Sequence, residues 1–363
     1  MNKHNFSAGP SILPQQVIEE ASNDVKEWGS VGGLSLIEVS HRCKEFVEVV
    51  NESTQLIKEL LDVPEHYEVL FLQGGASTQF CMVPYNFLKE GEKALYLDTG
   101  VWSTKAIKES KLFGDTEIVA SSKDKNYNYI PKFNIDVDKH FHNVSYLHIT
   151  TNNTIYGTQL YEDLDIDIPL IADMSSDIFS RKIDVSKYDL IYAGAQKNIG
   201  PAGVTIVIVN KYKLGRVSRE IPTMLNYHTH IDKKSMFNTP PVFSIYCCLL
   251  TLRWLKENGG VDAIQKNNEY KSNLLYNEID RNELFEGTTE KDCRSKMNVT
   301  FLLKDDKLEE SFLKLCDDKG IVGIKGHRSV GGFRSSIYNA MSVESIEHLI
   351  KVMRDFEVSH LII

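Results

Sequence analysis

The sequence is short of the residues that build several common protein classes. Six of its 363 residues are cysteine, at positions 43, 81, 247, 248, 293 and 316, and no Cys-x-x-Cys or Cys/His spacing links them. A zinc site and a disulfide framework are therefore not expected, and the thiols read as reduced. Cys247 and Cys248 lie in an apolar helical run and read as core. Positive charge is not in excess: 41 Lys and Arg face 50 Asp and Glu, a formal net charge of −9. That balance argues against a nucleic-acid partner, which asks for a basic domain or stripe. No run approaches the ~20 apolar residues of a membrane span. The opening MNKHNFSAGP has no apolar leader core either, so the expectation is a soluble, cytoplasmic protein. Internal repeats and low-complexity stretches are absent.

With 42% hydrophobic residues the chain can bury a sizeable core. Helical and strand patterns alternate. Pro14 to Trp28 reads as a helix stopped by Gly29, and Phe46 to Leu61 as another. Strands are expected at 68–72, 94–98, 144–150, 170–173, 190–193 and 204–209, most of them short apolar runs of the kind covered on both faces. Such alternation implies an α/β domain with a largely parallel sheet. Thr239 is expected to cap a helix with Pro240 and Pro241 in its first turn, running to Gly259 and Gly260. A polar helix over 261–280, a strand within 297–303 and helices near 308–318 and 343–356 then read as an α+β tail. These patterns divide the chain into an N-terminal segment (1–15), a large domain (16–260) and a small C-terminal domain (261–363).

The chemistry centres on YDLIYAGAQKNIGPAG, residues 188–203, where an apolar strand ends in Lys197 before residues that break structure. A free lysine, with a pKa of about 10.4, is almost wholly protonated at neutral pH. Burial at a strand end is how proteins obtain a nucleophilic, Schiff-base lysine. Taken alone, a surface lysine in a turn fits as well. PLIADMSSDIFSR, 169–181, delivers Asp173 at the carboxyl end of an earlier strand, and adjacent parallel strands would put both side chains on one rim. A lysine in imine linkage and an acid facing a pyridinium nitrogen are the usual protein contribution to pyridoxal phosphate chemistry. Asp177 is a rival for the acid, but it lies past the strand and reads as a turn residue.

Three further features accompany that pair. LQGGASTQF, 72–80, runs from a strand through Gly74 and Gly75 into a helix, a phosphate cradle that matches neither a dinucleotide nor a nucleoside triphosphate fingerprint. Trp102, after a strand and a glycine, reads as lying in a loop where an indole could stack on a flat ring, or as core. His41, Arg42, His327, Arg328 and Arg334 gather cations in an acidic protein, the last three within one Gly-rich loop, as an anion pocket would need.

Together FSAGPSILP, SHR, GGAS, TGVWS, NNTIYGT, AGAQKNIGPAG, FNTPP and GHRSVGGFRSSIYNAM resemble the phosphoserine aminotransferase family of class V aminotransferases, over almost the whole chain. The resemblance implies the pyridoxal-phosphate-dependent transferase fold of type I. That is an α/β large domain with a mainly parallel seven-stranded sheet, plus a smaller α+β C-terminal domain. It implies Lys197 and Asp173 as the catalytic pair, Trp102 as the stacking ring, and Thr154 as donor to the cofactor's phenolic oxygen. Ala76, Ser77 and Gln196 match phosphate-binding positions, and Asn238 and Thr239 match a pair that reaches the cofactor phosphate of the neighbouring subunit. A homodimer with shared active sites follows. Substrate contacts carry over to His41, Arg42, His327, Arg328 and Arg334. Some members carry an arginine where this chain has Ser77, which leaves the cations around 327 more of the work.

The implied reaction moves the amino group of L-glutamate to 3-phosphohydroxypyruvate in serine biosynthesis. The sequence is equally compatible with use of 4-phosphohydroxythreonine in pyridoxine biosynthesis. Rival readings are another class V enzyme, such as an alanine–glyoxylate aminotransferase or a cysteine desulfurase, and a non-catalytic relative of the fold. The anion pocket speaks against the first, the lack of a cysteine in a Gly-rich loop against the second, and the intact Lys197, Asp173 and Trp102 against the third.

Overall fold

Strand residues in this chain alternate between two apolar layers, and that alternation sets the architecture. In the computed structural model, which describes residues 3–133 and 143–361, seven strands form the central sheet. They are β1 (Tyr67–Leu72), β2 (Lys93–Asp98), β3 (Asp115–Ser121), β4 (Val144–Thr150), β5 (Leu170–Asp173), β6 (Leu190–Gly194) and β7 (Thr205–Asn210). Their order is β1-β7-β6-β5-β4-β2-β3. The β7 strand is antiparallel to β1 and β6, and every other pair is parallel.

Phe71, Leu97, Ile149, Ala172, Ile191 and Ile206 point into one apolar cluster, while Leu72, Tyr96, Tyr146, Ile171, Tyr192 and Val207 point into another. Both faces are covered, which is why the strands read as nearly unbroken apolar runs. Helices α1 (Gln15–Lys26), α2 (Lys44–Leu60) and α5 (Val242–Glu257) pack residues into the first cluster. Helices α3 (Gly75–Phe87) and α4 (Val101–Ser110) pack into the second.

A second, antiparallel sheet holds β8 (Phe285–Gly287), β9 (Asn298–Leu303) and β10 (Phe333–Ser336) in order. It builds a third apolar cluster with α6 (Gly260–Arg281), α7 (Glu309–Asp318) and α8 (Val343–Leu361). Phe6 joins this cluster, because His4–Asn5 pair in parallel with Ile321–Val322. The N-terminal segment then returns to the main sheet: Ser11 donates its amide to the Gln196 carbonyl at 3.0 Å and its hydroxyl to the Lys197 carbonyl at 2.5 Å.

Three expectations about elements change. The edge strand β3 has no counterpart in the sequence reading, because its residues DTEIVAS are mostly part-exposed and lack an apolar run. Trp102 is the second residue of α4 and not a loop residue; the Ser103 hydroxyl accepts the Thr99 and Gly100 amides and starts the helix there. Thr239 does not cap α5, which begins at Val242 with Pro241 before it. A residue preceding proline is pushed out of the helical region, so Pro240 stays outside and the helix starts late.

Candidate active site

Register along the sheet brings the chemistry-bearing positions to one rim. Thr150 of β4 pairs with Asp173 of β5, and Asp173 pairs with Tyr192 of β6. Because β7 runs the other way, its first residue, Thr205, lies against both Gly194 and Leu72. The turns after β1, β5 and β6 therefore leave the sheet at the same edge, outside the carboxyl ends of the parallel strands, where ligands bind in such folds.

A cavity of about 400 Å³ opens at that rim, lined by Ala76, Ser77, Trp102, Thr150, Asn152, Asp173, Ser175, Gln196 and Lys197 among others. The turn into α3 floors it. Gly74 has φ +91°, and a Cβ there would meet the Thr78 hydroxyl at 1.8 Å, so only glycine makes this turn. The first amides of α3 have no intrahelical acceptor and can hold an anion with the helix dipole behind them.

Lys197 is buried, with 9% of its surface exposed, and its Nζ donates to Thr154 Oγ1 at 2.7 Å. The ammonium also sits 5.7 Å from the centroid of the Trp102 ring. Burial, helped by the Arg334 charge and opposed by Asp173, pulls the Lys197 pKa down to about 8. Asp173 is fully enclosed; burial pushes its pKa up, against the Ser175 hydrogen bonds and the Lys197 charge. The Ser175 amide donates to Asp173 Oδ1 at 2.9 Å. The rival Asp177 is also buried but does not border the cavity; it accepts from Thr151 Oγ1 at 2.6 Å and Gln159 Nε2 at 3.2 Å. Burial lifts its pKa to about 6, with the Arg181 charge opposing.

Next to this cavity lies a second, of about 370 Å³, lined by His327, Arg334, Lys125, Tyr156 and Glu286 among others. Arg334 Nη1 donates to the Thr154 carbonyl at 3.4 Å, while its Nε is buried without a partner among the described residues. Burial lowers the His327 pKa first, then the charges of Arg334, Arg328 and Lys105. These cations thus share one neighbourhood.

His41, Arg42, Asn238 and Thr239 border neither cavity. His41 is buried in its own loop, with burial and then Arg42 lowering its pKa, and Arg42 is exposed. Asn238 and Thr239 are exposed; the Thr239 carbonyl accepts from Gln73 Nε2 at 2.9 Å, beside the glycine turn. Thr150, Asn152 and Ser175 line the site but carried no signal in the sequence, since isolated hydroxyls and amides after strands are common. A Cβ at Gly9 would lie 3.6 Å from the Gln196 and Lys197 side chains, so the N-terminal segment backs the site there.

Does pyridoxal phosphate fit here? Trp102 and Thr150 border the cavity, and Trp102 Nε1 and Thr150 Oγ1 are buried and find no partner among the described residues. Buried polar atoms of this kind are normally hydrogen-bonded, so a ligand with polar substituents matches them. A flat ring would meet the indole, the acid and the amine, and its phosphate the α3 amides. Among the described residues no group of His, Cys, Asp and Glu could hold a metal ion.

Comparison with known proteins agrees with this geometry. The chain matches the family described as Aminotransferase class-V over residues 3–349. It is similar to the phosphoserine aminotransferase of Phocaeicola vulgatus, with 59% identity over 99% of this chain and 100% of that one. The phosphoserine aminotransferase from Bacillus circulans subsp. alkalophilus superposes with a TM-score of 0.94 at 45% identity, covering 99% of both chains. The pyridoxal-phosphate-bound enzyme from Trichomonas vaginalis gives a TM-score of 0.91 at 35% identity, over 97% of this chain and 100% of that one. The chain belongs to the class V aminotransferases, in their phosphoserine aminotransferase branch, and pyridoxal phosphate is its cofactor.

Proposed function

We propose that the chain transfers the amino group of L-glutamate to 3-phosphohydroxypyruvate, giving O-phospho-L-serine and 2-oxoglutarate, as a cytoplasmic homodimer with shared active sites. The observation that carries this reading is the cavity in which Lys197, Asp173 and Trp102 meet, together with the charges of Arg334, Arg328 and Lys105 gathered around His327. No helix among the described residues is long and apolar enough to cross a membrane.

Bound pyridoxal phosphate supplies an aldehyde to carry the amino group and a ring that draws electrons from the substrate's Cα. This chain's residues do the rest. Ala76, Ser77 and Gln196, with the first amides of α3, hold the phosphate. Trp102 covers one ring face, Thr154 donates to the phenolic oxygen, and Asp173 keeps the ring nitrogen protonated. Lys197 Nζ would take the proton from the substrate's Cα as general base and deliver it to the cofactor's C4′ as general acid. A pKa near 8 suits that alternation at neutral pH.

Arg334 grips the α-carboxylate with its fork of donors, and His41, Arg42, His327 and Arg328 hold the distal carboxylate or phosphate. Exposed Asn238 and Thr239, with His41 and Arg42 lining neither cavity, support a site completed by a second copy. A cluster built for a dianion disfavours glyoxylate and other small neutral side chains. The test is a coupled assay of phosphoserine formation from glutamate, run beside alanine with glyoxylate. Turnover of the phosphorylated keto acid alone supports the reading, and preferred turnover of glyoxylate overturns it.

A further inference from the structure

Behind Asp173, on the face of the sheet away from α1, α2 and α5, two titratable side chains are buried that the reaction above does not use. Tyr192 lies beside Asp173 in register, so the two side chains leave the sheet on one face, and the phenol and the carboxylate act on each other's titration. On the far side, Tyr192 Oη and His148 Nε2 are 2.8 Å apart. The His148 ring stacks on Tyr96 at 4.9 Å between centroids, and Phe80 packs edge-on against Tyr192 at 6.3 Å. Both side chains are enclosed, so neither is a surface residue caught by chance.

We propose that Tyr192, oriented by His148, is a positioning residue that donates a hydrogen bond to Asp173 and holds its carboxylate ionised toward the ring nitrogen. The direction of the donors follows from what each atom can do. An ionised carboxylate only accepts, and a phenol has one hydrogen to give. If His148 carried its proton on Nδ1, Tyr192 would spend that hydrogen on Nε2 and turn lone pairs toward Asp173. Nδ1 has no hydrogen-bond partner among the described residues, and a buried N–H left unpaired is rarer than a buried lone pair left unpaired. The proton therefore sits on Nε2, His148 donates to the phenol oxygen, and the phenol donates to Asp173. Burial pulls the His148 pKa down to about 3, which keeps the ring neutral. The other titratable groups facing Tyr192 are the phenols Tyr96, Tyr146 and Tyr227, which stay uncharged at neutral pH.

This rests on the reading of Asp173 as the acid facing the ring nitrogen, and the experiment separates the two. Tyr192→Phe, His148→Gln, His148→Leu and Asp173→Asn are compared as cofactor-loaded proteins. Readouts are kcat, KM, and the pH midpoint of the visible absorption band. Without the phenol, proton affinity moves toward the carboxylate and the ring loses positive charge. Tyr192→Phe and His148→Leu should then lower kcat about tenfold with KM unchanged, and raise the midpoint by about one pH unit. His148→Gln, which keeps a donor near Nε2, should stay within about twofold of wild type. A silent Tyr192→Phe beside a crippled Asp173→Asn overturns this inference alone. A silent Asp173→Asn overturns the reading of the site as well. If Tyr192→Phe does not fold, the contrast between His148→Gln and His148→Leu decides the matter, and equal behaviour of the two overturns the inference.

Discussion

Lys197 Nζ rests on Thr154 Oγ1 at 2.7 Å, inside a wall where burial has pulled its pKa to about 8. That contact ties a strand end to the Asn152–Gln159 hairpin, and it means the amine is aimed before any ligand arrives. Pre-aimed groups avoid the cost of ordering at the moment of reaction.

The first consequence concerns pH. Only the neutral amine attacks an aldehyde, and half of Lys197 is neutral near pH 8 instead of near 10.5. The rate at which cofactor-free protein recaptures pyridoxal phosphate should rise through pH 8 and level off above about 9. Stopped-flow absorbance across that range checks it. A rise that continues to pH 10.5 would mean an ordinary lysine.

The same group affects stability. A folded-state pKa below the unfolded value means that the unfolded chain binds the proton more tightly between pH 8 and 10.5. Cofactor-free protein therefore carries the full penalty below pH 8 and sheds it as pH rises toward 10.5. Lys197→Met should stabilise the cofactor-free form at pH 7 by up to about 3 kcal/mol, with the gain gone near pH 11. Thermal melts at both pH values test this.

Asp173 sets the charge opposite the ring nitrogen. Asp173→Asn keeps the shape and removes the charge, and should lower kcat by about 100- to 1000-fold with the fold intact. Steady-state kinetics with circular dichroism as a control measures it.

The substrate side separates from the cofactor side. Arg334→Lys keeps a charge but loses the fork, so KM for glutamate should rise about 10- to 100-fold while the visible spectrum stays unchanged. A titration of glutamate with the spectrum recorded in parallel is sufficient.

How much of this was legible beforehand depended on which side of the sheet a residue faces. The inner strands were readable because both faces are covered and the runs are apolar, whereas β3, at the exposed edge, has no such run. Lys197 and Asp173 stood out because a charge at the end of an apolar strand is costly without a task. His148 and Tyr192 did not, since each looks like one more member of a buried strand. Their pairing, 44 residues apart, is fixed only by strand order and register. Asn238 and Thr239 were singled out by resemblance, His41 and Arg42 by their charge as well, and in a single copy of the chain none of the four borders either cavity.

That last point gives a prediction for assembly. Lys197→Ala protein and Asn238→Ala/Thr239→Ala protein are each crippled in their own homodimers. Mixed after mild dissociation, they should regain about a quarter of wild-type activity, because half the dimers are hybrids and each hybrid has one intact site. No recovery on mixing would place the whole site within one chain.

The most direct measurement is to reduce the purified protein with borohydride and map the modified peptide by mass spectrometry. The account predicts that the pyridoxyl group is fixed on Lys197, in the peptide spanning AGAQKNIGPAG. Lys271 is a fitting internal control, another buried lysine whose pKa burial pulls down to about 7, yet one whose ammonium is already engaged by the carbonyls of Ile337, Tyr338 and Met341. A label on Lys271 or on any lysine other than Lys197, or no label at all in cofactor-saturated protein, would contradict the account.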